Sequence, residues 1–358
     1  MRRGRTPRGR TLNGAALSPS PPRGYGVTVK VGVLGAGFIG RIHALNLQRD
    51  PRVDVIGIAD TVPAAAARLA GEVGAKPLDG LNALADAGAQ AVFICTPNQT
   101  RVPLVVAALD AGLHVFSEKP MATSFDGAAT IRAAARRAKG IYQIGFNRRF
   151  ANVYRFAKQR IDDGRLEPRL AQMKHNRGEL VQPPWTGDPS ATGGYLYETP
   201  IHLFDMGRFL FGDVATVAGH ARQSVYRELD GFVMLFTFTS GVVASVTSVA
   251  HTSWMFPYER VEVYGAHCTV VTEELERASF SPGMRDQVEA IDCFHMPFEQ
   301  KWGYVEEDRL FIDAVLGERA PAVTADDGYR ATELVEAVYR AARTGQTIHL
   351  PLPDAPGA

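Results

Sequence analysis

The chain has 358 residues, more than one ordinary domain contains, which predicts two domains. Hydrophobic residues make up 46% of it and charged residues 22%, as in soluble globular proteins. No apolar stretch approaches the roughly 20 residues of a membrane helix, so the composition predicts a soluble protein and excludes a membrane partner.

The net charge of +1 conceals an uneven distribution. Residues 1–26 hold six of the 39 basic residues and no acid, which leaves 33 basic against 38 acidic residues, or −5, in the remainder. The remainder therefore lacks the excess positive charge that is typical of a nucleic-acid-binding protein. The tail is rich in Arg, Pro, Gly and Ser, and we expect it to be disordered and inert. A misassigned translation start and a basic interaction arm are the alternatives.

The three cysteines lack close spacing, so they indicate neither a disulfide framework nor a Cys-rich zinc site. This usage predicts a reducing, cytoplasmic location. Cys95 falls in an apolar strand, and we interpret it as a small buried hydrophobic residue rather than a nucleophile.

Short apolar strands alternate with helical stretches in the first part of the chain. This alternation predicts βαβ units and a doubly wound parallel sheet. The predicted strands are residues 30–34, 53–59, 91–95, 114–116 and 142–145, and the predicted helices are residues 39–48, 64–73, 102–111 and 127–139.

Beyond about residue 150 the pattern changes. A predicted helix at residues 152–161 precedes longer alternating runs, such as residues 231–239 and 242–250, with a hairpin turn at Ser240 and Gly241. These runs predict an antiparallel sheet. Two further helices are predicted at the end of the chain, over residues 304–315 and 328–343, the second with a C-cap at Gly345.

The first predicted strand runs into a glycine triplet. Gly35, Gly37 and Gly40 have the Gly-X-Gly-X-X-Gly spacing at a strand-to-helix junction. There the first glycine permits a tight turn, the second permits close approach of a pyrophosphate, and the third permits close packing of helix on strand. The helix N-terminus supplies N–H groups to the phosphates. The other loop residues predicted to contact the cofactor are Ala36, Phe38 and Ile39.

Asp60 ends the second predicted strand, about 20 residues after the last glycine of the triplet. A carboxylate there can hydrogen-bond both ribose hydroxyls and repel a 2′-phosphate. Thr61 and Val62 follow it, so no cation is placed to bind such a phosphate. The motif predicts NAD rather than NADP. The alternative is that the glycines and Asp60 only form turns.

Polar residues also end the strand at residues 91–95. Thr96, Pro97 and Asn98 would lie at the carboxyl edge of the sheet, where open α/β folds bind ligands. They are predicted cofactor contacts, although an ordinary turn would use the same residues.

The strand predicted at residues 114–116 runs into Ser117, Glu118, Lys119 and Pro120, at the same edge of the sheet. We expect Lys119 to lie beside the nicotinamide, where its ammonium can bind a substrate hydroxyl and help its proton leave. Glu118 is predicted to orient Lys119 and to contact the cofactor. Pro120 fixes the backbone direction, for which a cis Lys119-Pro120 bond is one possibility. The alternative is a solvated surface lysine.

A partner for this lysine is predicted from the second domain. Glu198, His202 and Asp205 are spaced i, i+4, i+7 and would share one face of a helix. The pKa of imidazole suits proton transfer near neutrality, so His202 is the candidate general base or proton relay. Zinc binding and a plain helix surface are the alternatives, and no further ligand cluster supports zinc. Pro200 predicts that a helix starts just before it, leaving Glu198 outside, or is kinked there.

Together these motifs resemble the Gfo/Idh/MocA oxidoreductases, the group of glucose-fructose oxidoreductase and inositol dehydrogenase. The resemblance covers residues 29–350, and its most specific part is the Glu-Lys-Pro sequence combined with the distant histidine. Besides the glycine triplet and Asp60, the matching segments are TPN (96–98), EKP (118–120), GFNRRF (145–150), GGYLYETPIHLFD (193–205) and ELVEAVYRAARTGQTIHL (333–350).

The resemblance implies an α/β Rossmann domain at residues 27–147, after the tail at residues 1–26. An α+β domain at residues 148–358 would follow, with a large open, mostly antiparallel sheet that covers the substrate and forms an oligomer interface. The implied function is NAD-dependent, reversible oxidation of a secondary alcohol of a sugar or cyclitol by a homo-oligomer, dimeric or tetrameric. A non-catalytic dinucleotide-binding regulator and an NAD-dependent redox glycosidase of the same fold are the alternatives.

The resemblance also implies roles for individual residues. Lys119 and His202 correspond to the catalytic pair, and Glu198 falls where inositol dehydrogenases usually place an aspartate. Arg148 falls where enzymes with a GF-x-RR sequence contact substrate. Further substrate contacts are expected from Asn147, Asn176 and Trp185, and no metal is expected.

Overall fold

The structure is a computed structural model that describes residues 28–176, 184–253 and 258–353, with the backbone alone at residues 184 and 185. The predicted basic tail at residues 1–26 lies outside the described residues. Within them, no helix combines the length and the apolar character needed to cross a bilayer.

The first domain contains the predicted parallel sheet, with six strands. In chain order these are β1 (Val29–Leu34), β2 (Val53–Ala59), β3 (Lys76–Leu78), β4 (Ala91–Ile94), β5 (His114–Glu118) and β6 (Tyr142–Gly145). Their spatial order is β3-β2-β1-β4-β5-β6, so the chain changes direction across the sheet between β1 and β4. A crevice forms outside the carboxyl ends of the strands at such a switch point, and this places the ligand site.

Five helices connect these strands. They are α1 (Phe38–Arg49), α2 (Pro63–Val73), α3 (Gly80–Asp86), α4 (Arg101–Asp110) and α5 (Phe125–Arg137). The four longer ones confirm the predicted helices, whereas β3 and α3 were not predicted, because a three-residue strand of Lys, Pro and Leu carries no apolar alternation. The prediction that β5 ends at Phe116 is wrong, since the strand continues through Ser117 and Glu118, both of which are buried.

Among the described residues, the second domain contains a nine-stranded sheet in which β7 and β10 pair in parallel and the other neighbours pair antiparallel. Its first elements are α6 (Asn152–Asp162), β7 (Leu170–Asn176), α7 (Pro189–Thr192), α8 (Tyr195–Glu198), α9 (Ile201–Phe211), β8 (Val214–Arg222), β9 (Gly231–Phe238) and β10 (Val243–Val249). The remaining ones are β11 (Glu259–Tyr264), β12 (Thr269–Glu273), β13 (Arg277–Ser281), β14 (Glu289–Asp292), α10 (Phe298–Lys301), α11 (Tyr304–Val315), α12 (Ala325–Thr344) and β15 (Ile348–His349). The order β14-β13-β12-β11-β7-β10-β9-β8-β15 confirms the mostly antiparallel sheet.

Two predicted turn features are present in this domain. Gly241 adopts a φ of 89° in the turn between β9 and β10, a conformation that glycine allows at little cost. Gly345 caps α12 with a φ of 68°. The predicted start of that helix at residue 328 is wrong, because Thr324 and Asp327 form a capping box that begins it three residues earlier.

Helix α11 follows the second sheet in the chain but packs against the first domain. Phe311 and Ile312 are fully buried in the same cluster as Val31 and Phe93 of the parallel sheet. The rings of Phe311 and Phe93 meet edge to face at 5.2 Å. The domain boundary at residues 147 and 148 stays a prediction, and α11 shows that the core of the first domain also uses a later segment.

Candidate active site

A cleft of about 1200 Å³ lies outside the carboxyl ends of the parallel strands and extends to the second domain. A volume of this size exceeds the several hundred Å³ typical of a small-ligand pocket and can hold a dinucleotide together with a small substrate. Its first-domain wall includes the glycine loop, Asp60 and the ends of β4 and β5. Its second-domain wall includes Glu198 and His202.

The glycine loop has the geometry that a pyrophosphate requires. Gly35 has a φ of 104°, and a Cβ there would lie 2.6 Å from the Cys95 carbonyl oxygen. A Cβ at Gly40 would lie 1.9 Å from the Gly35 oxygen, so the turn and the helix can pack this closely only with glycine. A Cβ at Gly37 would meet no atom within 4 Å, because this position faces the open cleft. The loop therefore fits a phosphate that approaches the backbone at Gly37.

Of the neighbouring loop residues, Phe38 and Ile39 line the cleft, and Ala36 helps to fix the loop. Phe38 and Ile39 open α1 and line the cleft, and no side chain of the described residues caps this helix. The N–H of Ala36 donates to Asp60 Oδ2 at 2.7 Å, and the N–H of Val62 donates to Asp60 Oδ1 at 2.8 Å. Asp60 thus braces the glycine loop while it lines the cleft at the position predicted for ribose binding.

The turn after β4 also lies at the cleft, as predicted. Thr96, Pro97 and Asn98 all line it. Asn98 is buried, and its Nδ2 donates to Glu198 Oε2 at 2.7 Å. This bond joins the two domains at the cleft.

Lys119 reaches across the cleft to the second domain. Its Nζ donates to the backbone oxygen of Glu198 at 2.5 Å and lies 3.5 Å from Glu198 Oε1. Glu118, which the sequence predicted would orient the ammonium, instead contacts His43 and the backbone N–H of Lys119. The carboxylate beside the ammonium is that of Glu198. The Lys119-Pro120 bond is cis.

Pro200 explains why the Glu198 carbonyl is available. It leaves Glu198 outside the helix that carries His202, which is one of the two predicted arrangements: Glu198 ends α8, and His202 lies in the first turn of α9. The N–H of His202 donates to the Thr199 oxygen at 3.1 Å and not to the oxygen four residues earlier. The freed oxygen of Glu198 accepts from Lys119 instead.

His202 is buried and lines the same cleft as Lys119 and Glu198. Its ring lies edge-on to Phe146 at a centroid distance of 6.1 Å. Asp205 does not join this group, because both of its oxygens accept hydrogen bonds from the Arg149 guanidinium at 2.8 and 2.6 Å. The expectation that three polar residues share one helix face is therefore wrong for Asp205. In the described part of the chain, no group of three or more His, Cys, Asp or Glu is arranged to bind a metal.

The predicted substrate residues separate into two sets. Arg148 lines the cleft and forms a buried ion pair with Glu259 at 3.3 Å. Among the described residues, Asn147 and Asn176 do not line the cleft, and Asn147 Nδ2 donates to the Trp302 oxygen at 3.0 Å. The side chain of Trp185 lies outside the described residues, although the neighbouring Thr186 lines the cleft.

Sequence reasoning missed one wall of the cleft. Phe298, Trp302 and Tyr304 line it from α10 and the start of α11. The Trp302 ring lies 4.9 Å from the Arg148 guanidinium, within range of a cation–π contact. A cluster of three aromatic residues just before a helix was the available signal, but nothing local in the sequence brings that helix back to the first domain.

Two groups on the first-domain wall, one half-buried and one buried, have perturbed pKa values. Burial raises the pKa of the Cys95 thiol to about 12, so it stays protonated and is a poor nucleophile. Burial is the largest single influence on Glu118 and raises its pKa, but the hydrogen bond to His43 together with the charges of His43, Lys119 and Arg101 leaves the pKa below its usual value. Glu118 is therefore a buried anion at the base of Lys119.

A glycine loop at a strand-to-helix turn, an acid at the end of the second parallel strand, and a lysine and a histidine that line one cleft are typical of a dinucleotide-dependent oxidoreductase. The comparisons agree with this class. Residues 29–146 match the description "Oxidoreductase family, NAD-binding Rossmann fold", and residues 158–350 match "Oxidoreductase family, C-terminal alpha/beta domain". The chain belongs to the Gfo/Idh/MocA family of NAD-binding oxidoreductases.

Individual relatives match nearly the whole chain. Inositol 2-dehydrogenase of Rhizobium meliloti is 29% identical over 88% of this chain and 97% of its own length. The scyllo-inositol 2-dehydrogenase (NAD(+)) of Bacillus subtilis is 28% identical, over 90% of this chain and 96% of its own. The crystal structure of GenD2 from gentamicin A biosynthesis, in complex with NAD, is 25% identical, covers 98% of this chain and 100% of that one, and has a TM-score of 0.79.

Gly37→Ala tests the glycine loop. Because the new methyl group meets no protein atom within 4 Å, the variant should fold with an unchanged melting temperature. The methyl group points to where the phosphates approach, so the Kd for NADH, measured by fluorescence titration, should rise about tenfold or more. Gly71→Ala, also in open space but within α2 and outside the cleft lining, is the control for nucleotide affinity. Unchanged NADH affinity in Gly37→Ala would contradict this assignment.

Proposed function

We propose that this enzyme catalyses the reversible, NAD-linked oxidation of a secondary alcohol of a cyclitol or sugar, and that its substrate resembles inositol. The observation that carries the proposal is that Lys119 from one domain and His202 from the other line one cleft, next to the glycine loop. The inositol 2-dehydrogenases among its relatives support the substrate class.

In this proposal Lys119 and His202 share the acid-base work. The Lys119 ammonium donates a hydrogen bond to the oxygen of the reacting alcohol and stabilises negative charge on it. The imidazole of His202 accepts the hydroxyl proton in oxidation and returns it in reduction. Glu198 fixes Lys119 through its carbonyl oxygen and its carboxylate. The nicotinamide of bound NAD supplies the hydride acceptor.

The charge distribution of the cleft supports an uncharged, hydroxyl-rich substrate. The Lys119 ammonium has Glu198 beside it, and the Arg148 guanidinium has Glu259. Arg148 therefore presents N–H donors to a hydroxyl without an excess positive charge that would require a carboxylate or phosphate. We retain Arg148 as a substrate contact. Asn147 was also predicted to contact substrate, but we assign it to holding Trp302 in place through its bond to the Trp302 oxygen. Contacts from Asn176 and Trp185 stay predictions.

The same geometry supports a preference for NAD over NADP. The Asp60 carboxylate lies at the cleft with Thr61 beside it. A 2′-phosphate there would meet a carboxylate, and like charges at short range repel.

We also propose a cytoplasmic location, supported by the free thiols of the chain. These are Cys95, Cys268 and Cys293.

Incubation of the protein with NAD and a panel of inositols, inosamines and simple sugars tests the proposal. We expect absorbance at 340 nm to rise with at least one cyclitol or sugar as NADH forms, and to rise more slowly when NADP replaces NAD.

A dinucleotide-binding regulator would bind NADH but would form no NADH from NAD and any compound of the panel. A redox glycosidase would release a free sugar from a glycoside without net NADH. Either result would replace the proposed function.

Lys119→Ala tests the acid-base assignment. We expect kcat for the best substrate to fall about a hundredfold or more, because a positioned acid-base group contributes this much. The Kd for NADH should change little, since the glycine loop is untouched. Lys76→Ala, at an exposed lysine on β3, is the matched control and should retain wild-type turnover. Wild-type kcat in Lys119→Ala would remove the ammonium from the mechanism.

We propose that the open face of the nine-stranded sheet joins copies of this chain into a dimer or tetramer. Val233 and Leu235 project from β9 on the face opposite the buried Phe232 and Met234, and they are 63% and 48% exposed. Adjacent exposed aliphatic side chains on a sheet favour burial against another surface.

The double variant Val233→Lys with Leu235→Lys tests this interface. Charges on both positions should lower the molar mass measured by light scattering to that of a smaller assembly, because the interface would bury unpaired ammonium groups. Val225→Lys is the control, since Val225 is also 63% exposed but lies outside the sheet strands. An unchanged mass for the double variant would place the interface elsewhere.

A further inference from the structure

The backbone that carries Lys119 is fixed by two side chains. Glu118 Oε2 accepts the backbone N–H of Lys119 at 3.0 Å. On the other side of the turn, the Arg101 guanidinium donates to the Pro120 oxygen at 2.8 Å and to the Thr96 oxygen at 2.9 Å. The direction in which the ammonium leaves the strand therefore depends on where the Glu118 carboxylate is fixed.

Glu118 is in turn fixed by a buried imidazole from α1. The His43 Nε2 lies 3.2 Å from Glu118 Oε1, and its Nδ1 lies 2.6 Å from Asp308 Oδ1. Asn46 Nδ2 donates to Asp308 Oδ2 at 2.9 Å. This chain of contacts joins the cofactor-binding helix α1, the catalytic strand β5 and helix α11. None of its members was singled out from the sequence except Glu118.

The arrangement favours a protonated imidazole. A neutral imidazole has one donor nitrogen and one acceptor nitrogen, so one of the two carboxylates would face a lone pair, whereas an imidazolium donates to both. Burial alone lowers the pKa of His43. The charge of Asp308 and the hydrogen bonds that His43 donates to both carboxylates outweigh burial, so the pKa lies well above its usual value.

Aromatic rings enclose the imidazolium. The rings of Phe93, Phe116 and Tyr304 lie 5.4, 5.0 and 5.7 Å from that of His43, whose side chain is fully buried. Water is excluded there, so the charge-assisted hydrogen bonds to the two carboxylates are strong and directional. This buried hydrogen bond holds the Glu118 carboxylate more firmly than a hydrogen bond exposed to water could.

We propose that His43 and Asp308 are positioning residues that act through Glu118 to hold Lys119 in its catalytic orientation. The inference rests on the proposed function, since it assigns Lys119 to the reaction. Neither residue touches the substrate in this scheme. His43 and Asp308 are required for turnover because a reacting group displaced by about 1 Å can lose a hundredfold in rate.

Helix α11 offers a control variant that shows how much activity is lost when a buried carboxylate is removed without breaking the contacts to Glu118. Asp313 lies on the same helix as Asp308, and its buried carboxylate pairs with Arg52 at 2.6 Å and with Arg309 at 2.6 Å. Asp313 has no contact with Glu118 or Lys119 among its described hydrogen bonds. Both Asp308→Asn and Asp313→Asn remove a buried charge from α11, so both should lower the melting temperature. Only the first breaks the link to Lys119.

Steady-state kinetics with the best polyol of the wild type should separate the two variants. Asp308→Asn should lower kcat about tenfold or more while the KM for NAD stays within about twofold, because the glycine loop is unaltered. Asp313→Asn should keep kcat within about twofold of the wild type. Equal kcat in both variants would overturn the proposal. A parallel loss of NAD affinity in Asp308→Asn would also overturn it, since α1 rather than Lys119 would then have moved.

A second measurement needs no turnover. The rate at which a water-soluble acetylating reagent modifies Lys119, followed by peptide mass spectrometry, reports how firmly Glu198 and the backbone hold the ammonium. This rate should rise about threefold or more in Asp308→Asn and stay unchanged in Asp313→Asn; equal rates would overturn the inference. If Asp308→Asn does not fold, His43→Gln takes its place with the same expectations. Absence of polyol oxidation by the wild type would refute the proposed function, while the labelling rates would still decide on the positioning role.

Discussion

The contact between Lys119 Nζ and Glu198 links the two domains at the point where the proposed chemistry occurs. It requires a strand that ends at a particular edge of the parallel sheet and a helix that breaks at a particular residue. Pro200 supplies the break, since it separates α8 from α9 and leaves the Glu198 oxygen unclaimed by the helix. Without that break the oxygen would accept an N–H from its own helix, and the ammonium would lose its nearest partner.

Features that depend on local pattern could be predicted from the sequence. Gly35, Gly37, Asp60 and the turn after β4 lie at the cleft, where the sequence pattern puts them, because the carboxyl ends of parallel strands converge whatever the side chains elsewhere. The length of β5 could not be predicted. Ser117 and Glu118 are polar, so the apolar pattern stops at Phe116, yet both are buried because His43 and Tyr142 supply their hydrogen bonds. A strand whose polar residues find buried partners is invisible to an analysis of hydrophobicity.

Features that depend on distant segments were missed for a related reason. Helix α11 comes more than 150 residues after β6 but packs on the sheet of the first domain. It brings Tyr304 to the cleft and Asp308 to His43, contacts that span a separation of 265 residues in the case of Asp308. Periodicity identifies α11 as a helix with an apolar face, but it does not say which of two cores that face will join. The same limit applies to Asn147, whose place in the GFNRRF segment says nothing of its bond to Trp302.

Three cations that fix or line the catalytic end of the cleft have carboxylate partners, and the partners come from different elements, whereas Arg101 donates to the Pro120 and Thr96 oxygens. Lys119 has Glu198, Arg148 has Glu259, and His43 has both Glu118 and Asp308. Removal of one partner would leave a buried charge uncompensated, which costs several kcal/mol, and among these pairs Lys119 with Glu198 links the two domains. They also leave little net charge near the reacting carbon. A rigid, nearly neutral polar wall of this kind suits a substrate that carries many hydroxyl groups and no charge, since discrimination then depends on the direction of hydrogen bonds rather than on long-range attraction.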